Sequence, residues 1–199
     1  MLPEYTIFIG VILFITGYYI YTRDMFKGAT RPNLVSWFIW TLAPFIASYF
    51  QLKAGARFSV LPVFLAGFGP LLVIIASFWS KNKYWKLSLF DIICGTLALL
   101  SLLLYIVTQN LAISIIFAIL ADAWAFVPTI KKSWTNPESE TGILYFFAII
   151  SNIIGLLVIK DWSFTIYSFG AYLVVANIII VFVIYRKNIF PQKEIISQT

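Results

Sequence analysis

The chain of 199 residues is 61% hydrophobic and only 11% charged, with a mean hydropathy of +0.93, whereas a soluble domain carries about 25% charged residues. It therefore reads as an integral membrane protein, and its net charge of +6 as loop topology rather than a footprint for nucleic acid. One cysteine, Cys94, and no histidine exclude a disulfide framework, a thiolate or imidazole metal site and histidine-dependent catalysis.

Seven apolar segments follow in chain order, each long enough for about 30 Å of hydrocarbon at 1.5 Å per residue. The first, 4–22, lacks a basic leader and is long enough to span, so it is not expected to be a cleaved signal. The second, 33–52, opens on WFIW, whose Trp37 and Trp40 are three apart and share a face. Trp37 falls where interfacial belt tryptophans occur; Trp40, a turn deeper, is either core or a surface for a ring-shaped solute to stack on. In the third, 58–79, Pro62, Gly67, Gly69 and Pro70 favour close packing and a kink, as Pro44 does in the second.

The fourth segment, 87–108, carries Asp91 close to Lys86, where it can snorkel or pair, a structural role. Only Gln109 and Asn110 separate it from the fifth, 110–131, so the two form a tight hairpin. Asp122 lies about twelve residues into that fifth segment, in the apolar run ILADAWAF, with no basic residue within a turn. An acid at such depth costs about 2.5–3.5 kcal/mol on insertion scales and needs a reason. It is a candidate proton carrier, or a neutral acid that hydrogen-bonds two helices together. The sixth segment, 142–160, and the seventh, 164–186, each bury one amide, Asn152 and Asn177, as pocket lining or as packing glue. Trp79, Trp85, Trp134 and Trp162 stand at segment ends as belt residues, and the tail from Asn188 is short and polar.

Lysine and arginine sort unevenly. The first, third and fifth loops and the C-terminus carry eleven; the opposite side has only Lys53, Arg57 and Lys160. The positive-inside rule then sets the N-terminus outside and the C-terminus in the cytoplasm, in a plasma (inner) membrane. The layout repeats: TRDMFKGATRPNLVSWF (22–38) lies over KKSWTNPESETGILYFF (131–147) at an offset near 108. Residues 1–83 thus form one three-helix bundle, 84–109 a linker helix, and 110–199 a second bundle with a cytoplasmic tail. The fold class is an all-α membrane protein of two parallel repeats.

This three-plus-one-plus-three order, with Pro128, Lys131, Lys132, Ser133 and a polar turn before the sixth segment, resembles the SWEET transporters and the wider PQ-loop superfamily. Thr129 stands where that motif has glutamine, and the first half has Tyr19 or Ile20 where its proline is expected. The resemblance implies a transporter or facilitator of a small polar solute by alternating access, with Pro128 as gating hinge. Its site would be lined by Trp40, Asp122, Trp124, Asn152 and Asn177. It equally admits a ligand-binding receptor or sorting protein, or a non-transporting scaffold, on the same fold. The partners expected are the solute, protons through Asp122 and the lipid bilayer; no cofactor, metal or catalytic residue is expected, and a homo-oligomer is compatible.

Overall fold

With no water to satisfy peptide groups in lipid, long apolar runs close their hydrogen bonds internally as helices. The computed structural model of the protein describes residues 2–80, 86–107 and 110–189. Lys81, Lys83, Trp85, Gln109 and Lys193 of the sequence reading lie outside them. Among the described residues there are seven α-helices, three 3-10 turns and no strand. The helices are α1 (Ile7–Phe26), α2 (Leu34–Lys53), α3 (Leu61–Ser77), α4 (Leu89–Val107), α5 (Leu111–Thr135), α6 (Gly142–Val158) and α7 (Phe164–Ile189).

Each predicted apolar segment holds one helix. α1 and α5 run four residues past their apolar limits, through Arg23–Phe26 and Lys132–Thr135, because charged and polar residues continue a helix once it leaves hydrocarbon. Five helical stretches are long and apolar enough to cross a membrane: Glu4–Phe26, α2, Phe58–Ser77, α5 and Phe164–Asn188. α6, with 17 residues, is shorter. The outer faces stay apolar: Phe8, Ile12, Ile15 and Tyr19 of α1 and Val175, Ile178 and Phe182 of α7 are exposed, as lipid-facing side chains are.

The starts and stops have local causes. Asn33 and Asn110 cap α2 and α5, each side-chain oxygen accepting from two backbone N–H groups of the first turn. Gly28 and Gly55 take positive φ just beyond α1 and α2, the left-handed step that turns the chain out of a helix. Pro44, Pro70 and Pro128 sit inside helices without ending them, and all three are buried against neighbours.

Packing orders the helices. α3 lies between α1 and α2, and α7 lies between α5 and α6 in the same way. The two triplets meet through α1 on α6 and α2 on α5, while α4 leans on α5 and, less closely, on α2. Small residues set the spacing, as expected where lipid offers no hydrophobic drive between helices. On α1, Gly10 and Gly17 let the backbone approach Ser151 and Leu144 of α6; a Cβ at Gly17 would stand 3.1 Å from the Leu144 side chain. Ala43 and Ala47 of α2 and Ala118, Ala121 and Ala125 of α5 are fully buried.

Candidate functional site

A central cavity of about 40 Å³ lies where α1, α2 and α3 meet α5, α6 and α7, room for about three waters. α4 supplies none of its lining. The lining residues recur at a nearly fixed displacement. Phe14 and Asp122, Tyr18 and Phe126, Trp37 and Tyr145, Trp40 and Ala148, and Pro44 and Asn152 are each 108 positions apart, and Ala66 and Leu173, and Pro70 and Asn177, each 107. Both members of all seven pairs face the same space.

Three of the pairs set an apolar residue against a polar one, Phe14 against Asp122, Pro44 against Asn152 and Pro70 against Asn177. The α1–α3 side is aromatic and imino: Phe14, Tyr18, Trp37, Trp40, Pro44 and Pro70. The α5–α7 side carries the acid, Asp122, and the two amides. Ring contacts run continuously along the aromatic wall: Phe14 to Tyr18 at 5.2 Å, Tyr18 to Trp37 at 6.4 Å, Trp37 to Trp40 at 5.6 Å and Trp40 to Phe126 at 4.5 Å. These separations fall in the range of favourable aromatic pairs.

Four buried polar atoms of lining residues have no hydrogen-bond partner in the protein: the acceptors Asp122 Oδ1 and Asn152 Oδ1, and the donors Trp37 Nε1 and Trp40 Nε1. Asp122 is 1% exposed, and its other oxygen accepts from the Tyr172 hydroxyl at 3.0 Å. Asn152 and Asn177 each donate to the carbonyl four residues back on their own helix, Ala148 at 2.8 Å and Leu173 at 2.7 Å. That bond fixes the rotamer and leaves each amide oxygen to something else.

Polar contacts close the bundle at both ends. At the end where α1 and α5 finish and α2 and α6 begin, Lys132 Nζ donates to Glu140 Oε1 and to the Arg31 carbonyl, and both charged side chains are at most 1% exposed. Glu140 Oε2 accepts from the Tyr145 hydroxyl at 3.1 Å, which ties the clasp to the cavity wall. The hydroxyls of Thr30 and Thr141 touch at 2.5 Å, Thr141 donates to Asp24, and Arg31 N–H donates to the Ser139 carbonyl. At the opposite end Gln51 donates to the Ile166 carbonyl at 2.9 Å, and Glu4 pairs with Lys160 at 2.7 Å and Arg57 at 3.5 Å.

Of the residues expected to line a site, Trp40, Asp122, Asn152 and Asn177 come together here. Trp124 does not: it is 39% exposed on the outer face of α5, because two residues of helix turn it about 200° from Asp122. Trp37 is corrected in the other direction. It is 1% exposed and packed against the tilted Tyr21 ring at 4.6 Å, a core residue rather than a belt one. Asp91 pairs neither with Lys86 nor with solvent; it accepts from Ser88 N–H at 2.6 Å, Ser88 Oγ at 2.7 Å and Asn33 Nδ2 at 2.9 Å. It caps α4 and fastens it to the start of α2. Pro128 is buried within α5, and its helix continues for seven residues, through Thr135.

The sequence reading missed Phe14, Tyr18, Phe126 and Tyr145 as lining residues and Glu140 as the partner of Lys132. The 108-residue displacement projects Asp122 onto Phe14 and Trp37 onto Tyr145, while Tyr18 and Phe126 project onto each other and carry no polar mark that would single them out. No such signal exists for the ion pair, which is made across a turn between α5 and α6. Among the described residues no cluster of acidic, cysteine or histidine side chains could hold a metal. Comparison with protein-family models, with curated proteins and with solved structures finds no match.

Proposed function

We propose that the protein is a seven-span transporter or facilitator of a small polar solute, built as two parallel three-helix repeats joined by α4, similar in layout to the SWEET and PQ-loop proteins. The observation that carries this reading is the recurrence of cavity-lining residues at one displacement. In parallel repeats the two-fold axis runs along the membrane normal, so matching positions of the two halves form facing walls of one cavity between them, and rocking one half against the other is the motion alternating access needs. The matching helix order, α3 between its neighbours and α7 between its own, supports it too. The lysine and arginine bias supports a cytoplasmic position for the Lys132–Glu140 end, with the N-terminus outside. Solute would enter when one polar closure opens and leave when the other does, Pro128 flexing beside the inner one.

The closed cavity is too small for a sugar without rearrangement, so rocking of the halves is part of the reading. The test is counterflow in proteoliposomes with a panel of radiolabelled sugars, nucleosides and amines. Exchange of at least one solute well above protein-free vesicles, reduced by Trp40→Ala, supports transport. Saturable binding of a solute without any exchange would instead support a receptor or sorting protein.

A further inference from the structure

We propose that the central cavity selects a small protonated amine that carries no anionic group, seating its ammonium between Asp122 Oδ1 and Asn152 Oδ1 with its body against Trp40 and Phe126. The proposal rests on the transporter reading for its location and names the solute class for it.

Charge is the first argument. Asp122 is the one acid in the lining, and no lysine or arginine of the described residues joins it there. A carboxylate buried without a cation is costly, and the Tyr172 hydroxyl satisfies only one of its two oxygens. A ligand cation supplies the missing charge and the missing donor together. The second argument is the sign of the unpartnered groups. Asp122 Oδ1 and Asn152 Oδ1 both accept, and an ammonium group offers three donors and no acceptor. A neutral polyol also meets these acceptors, and the bare Trp37 and Trp40 Nε1–H donors, but it brings Asp122 no charge, so the cation is favoured by charge rather than by donor count.

The third argument is the aromatic wall. Trp40 of α2 meets Phe126, one turn along α5 from Asp122, at 4.5 Å in the same lining, and aromatic faces attract a cation by their quadrupole, more strongly when it is desolvated. The unpartnered Trp40 Nε1–H is a donor, which a hydroxyl on the same ligand could meet. The same wall rejects amino acids: with no basic residue in the lining, their carboxylate would be buried beside Asp122 without a partner, a repulsive arrangement that discriminates strongly. Size agrees, since a cavity of about 40 Å³ admits a solute of a few heavy atoms with little opening.

The experiment uses purified full-length protein in nanodiscs and three probes of nearly equal size: ethanolamine (cation), ethylene glycol (neutral) and glycine (zwitterion). Binding is measured by calorimetry and by thermal shift, and exchange in proteoliposomes. Ethanolamine should bind at least tenfold more tightly than either other probe, and Asp122→Asn should remove that preference while Asn152→Asp keeps or strengthens it. Should Asp122→Asn fail to fold, the wild-type ranking alone still decides. Equal or weaker binding of ethanolamine, or none, overturns the proposal. Exchange of neutral solutes without preference for the amine overturns it while leaving the transporter reading intact. Tight amine binding without exchange keeps the amine site and removes the transporter reading.

Discussion

Glu140→Gln is the most demanding perturbation of the Lys132–Glu140 closure. Glu140 and Lys132 are both essentially buried, and the carboxylate also holds the Tyr145 hydroxyl, while the ammonium also holds the Arg31 carbonyl. The change is nearly isosteric, so packing is kept and only charge is lost. What remains is a buried lysine cation that has lost its carboxylate counter-charge. Breaking one side of a buried ion pair typically costs about 3–5 kcal/mol, whereas replacing both partners with apolar residues is often neutral. For a chain of this size each kcal/mol lowers the midpoint by roughly 2–4 °C. Glu140→Gln should therefore lower the thermal midpoint in detergent by roughly 10 °C. Lys132→Met should do the same, and the double variant should recover most of the loss. The assay is a double-mutant cycle on thermal unfolding monitored by tryptophan fluorescence. Two small, additive losses of under about 1 kcal/mol each would refute the reasoning, because they would mean that water reaches the pair.

Gly69→Ala should be destabilising by about 1–3 kcal/mol, since the added methyl lands on the Tyr18 ring; Tyr18→Ala in the same chain should relieve most of it, read by thermal shift. Trp124→Ala should leave solute binding unchanged, while Trp40→Ala weakens it at least tenfold, because one ring faces outward and the other the cavity; isothermal titration distinguishes them. Asp91→Asn keeps the shape of the α4 cap but weakens its acceptor, and should cost about 1 kcal/mol without altering transport, measured by unfolding and counterflow. Pro128→Ala restores a backbone donor inside α5; it should leave folding intact and slow solute exchange, and unchanged exchange would mark the proline as packing only.

The fold was readable because a long apolar run closes its backbone hydrogen bonds as a helix: each of the seven apolar segments holds one, and five helical stretches are long and apolar enough to cross a membrane. Asp122, Asn152 and Asn177 were readable for the same reason: a polar residue in the middle of such a segment stands out against its neighbours. Trp124 misled because depth along a helix says nothing about azimuth, and the apolar surroundings on both faces of α5 carry no amphipathic stripe to orient it. Phe14, Tyr18 and Phe126 were hidden because an aromatic that lines a cavity is indistinguishable in composition from one that faces lipid. Trp37 shows the same ambiguity at the interface. The Lys132–Glu140 pair escaped because its members sit at a helix end and a turn, where charge is ordinarily solvated; tertiary closure by the α1–α2 connection is what buries them.

The central claim is that one cavity is reached alternately from both faces of the membrane, and Asn177 reports on it directly. It is 5% exposed, on the cavity wall, near the middle of α7. In a Cys94→Ala background, Asn177→Cys should react with a membrane-impermeant thiol reagent added to either side of oriented proteoliposomes, in molecules that Glu138→Cys and Asp161→Cys controls each report from one side only. Reaction from a single side, whatever the solute conditions, would contradict alternating access and leave a one-sided binding site in its place.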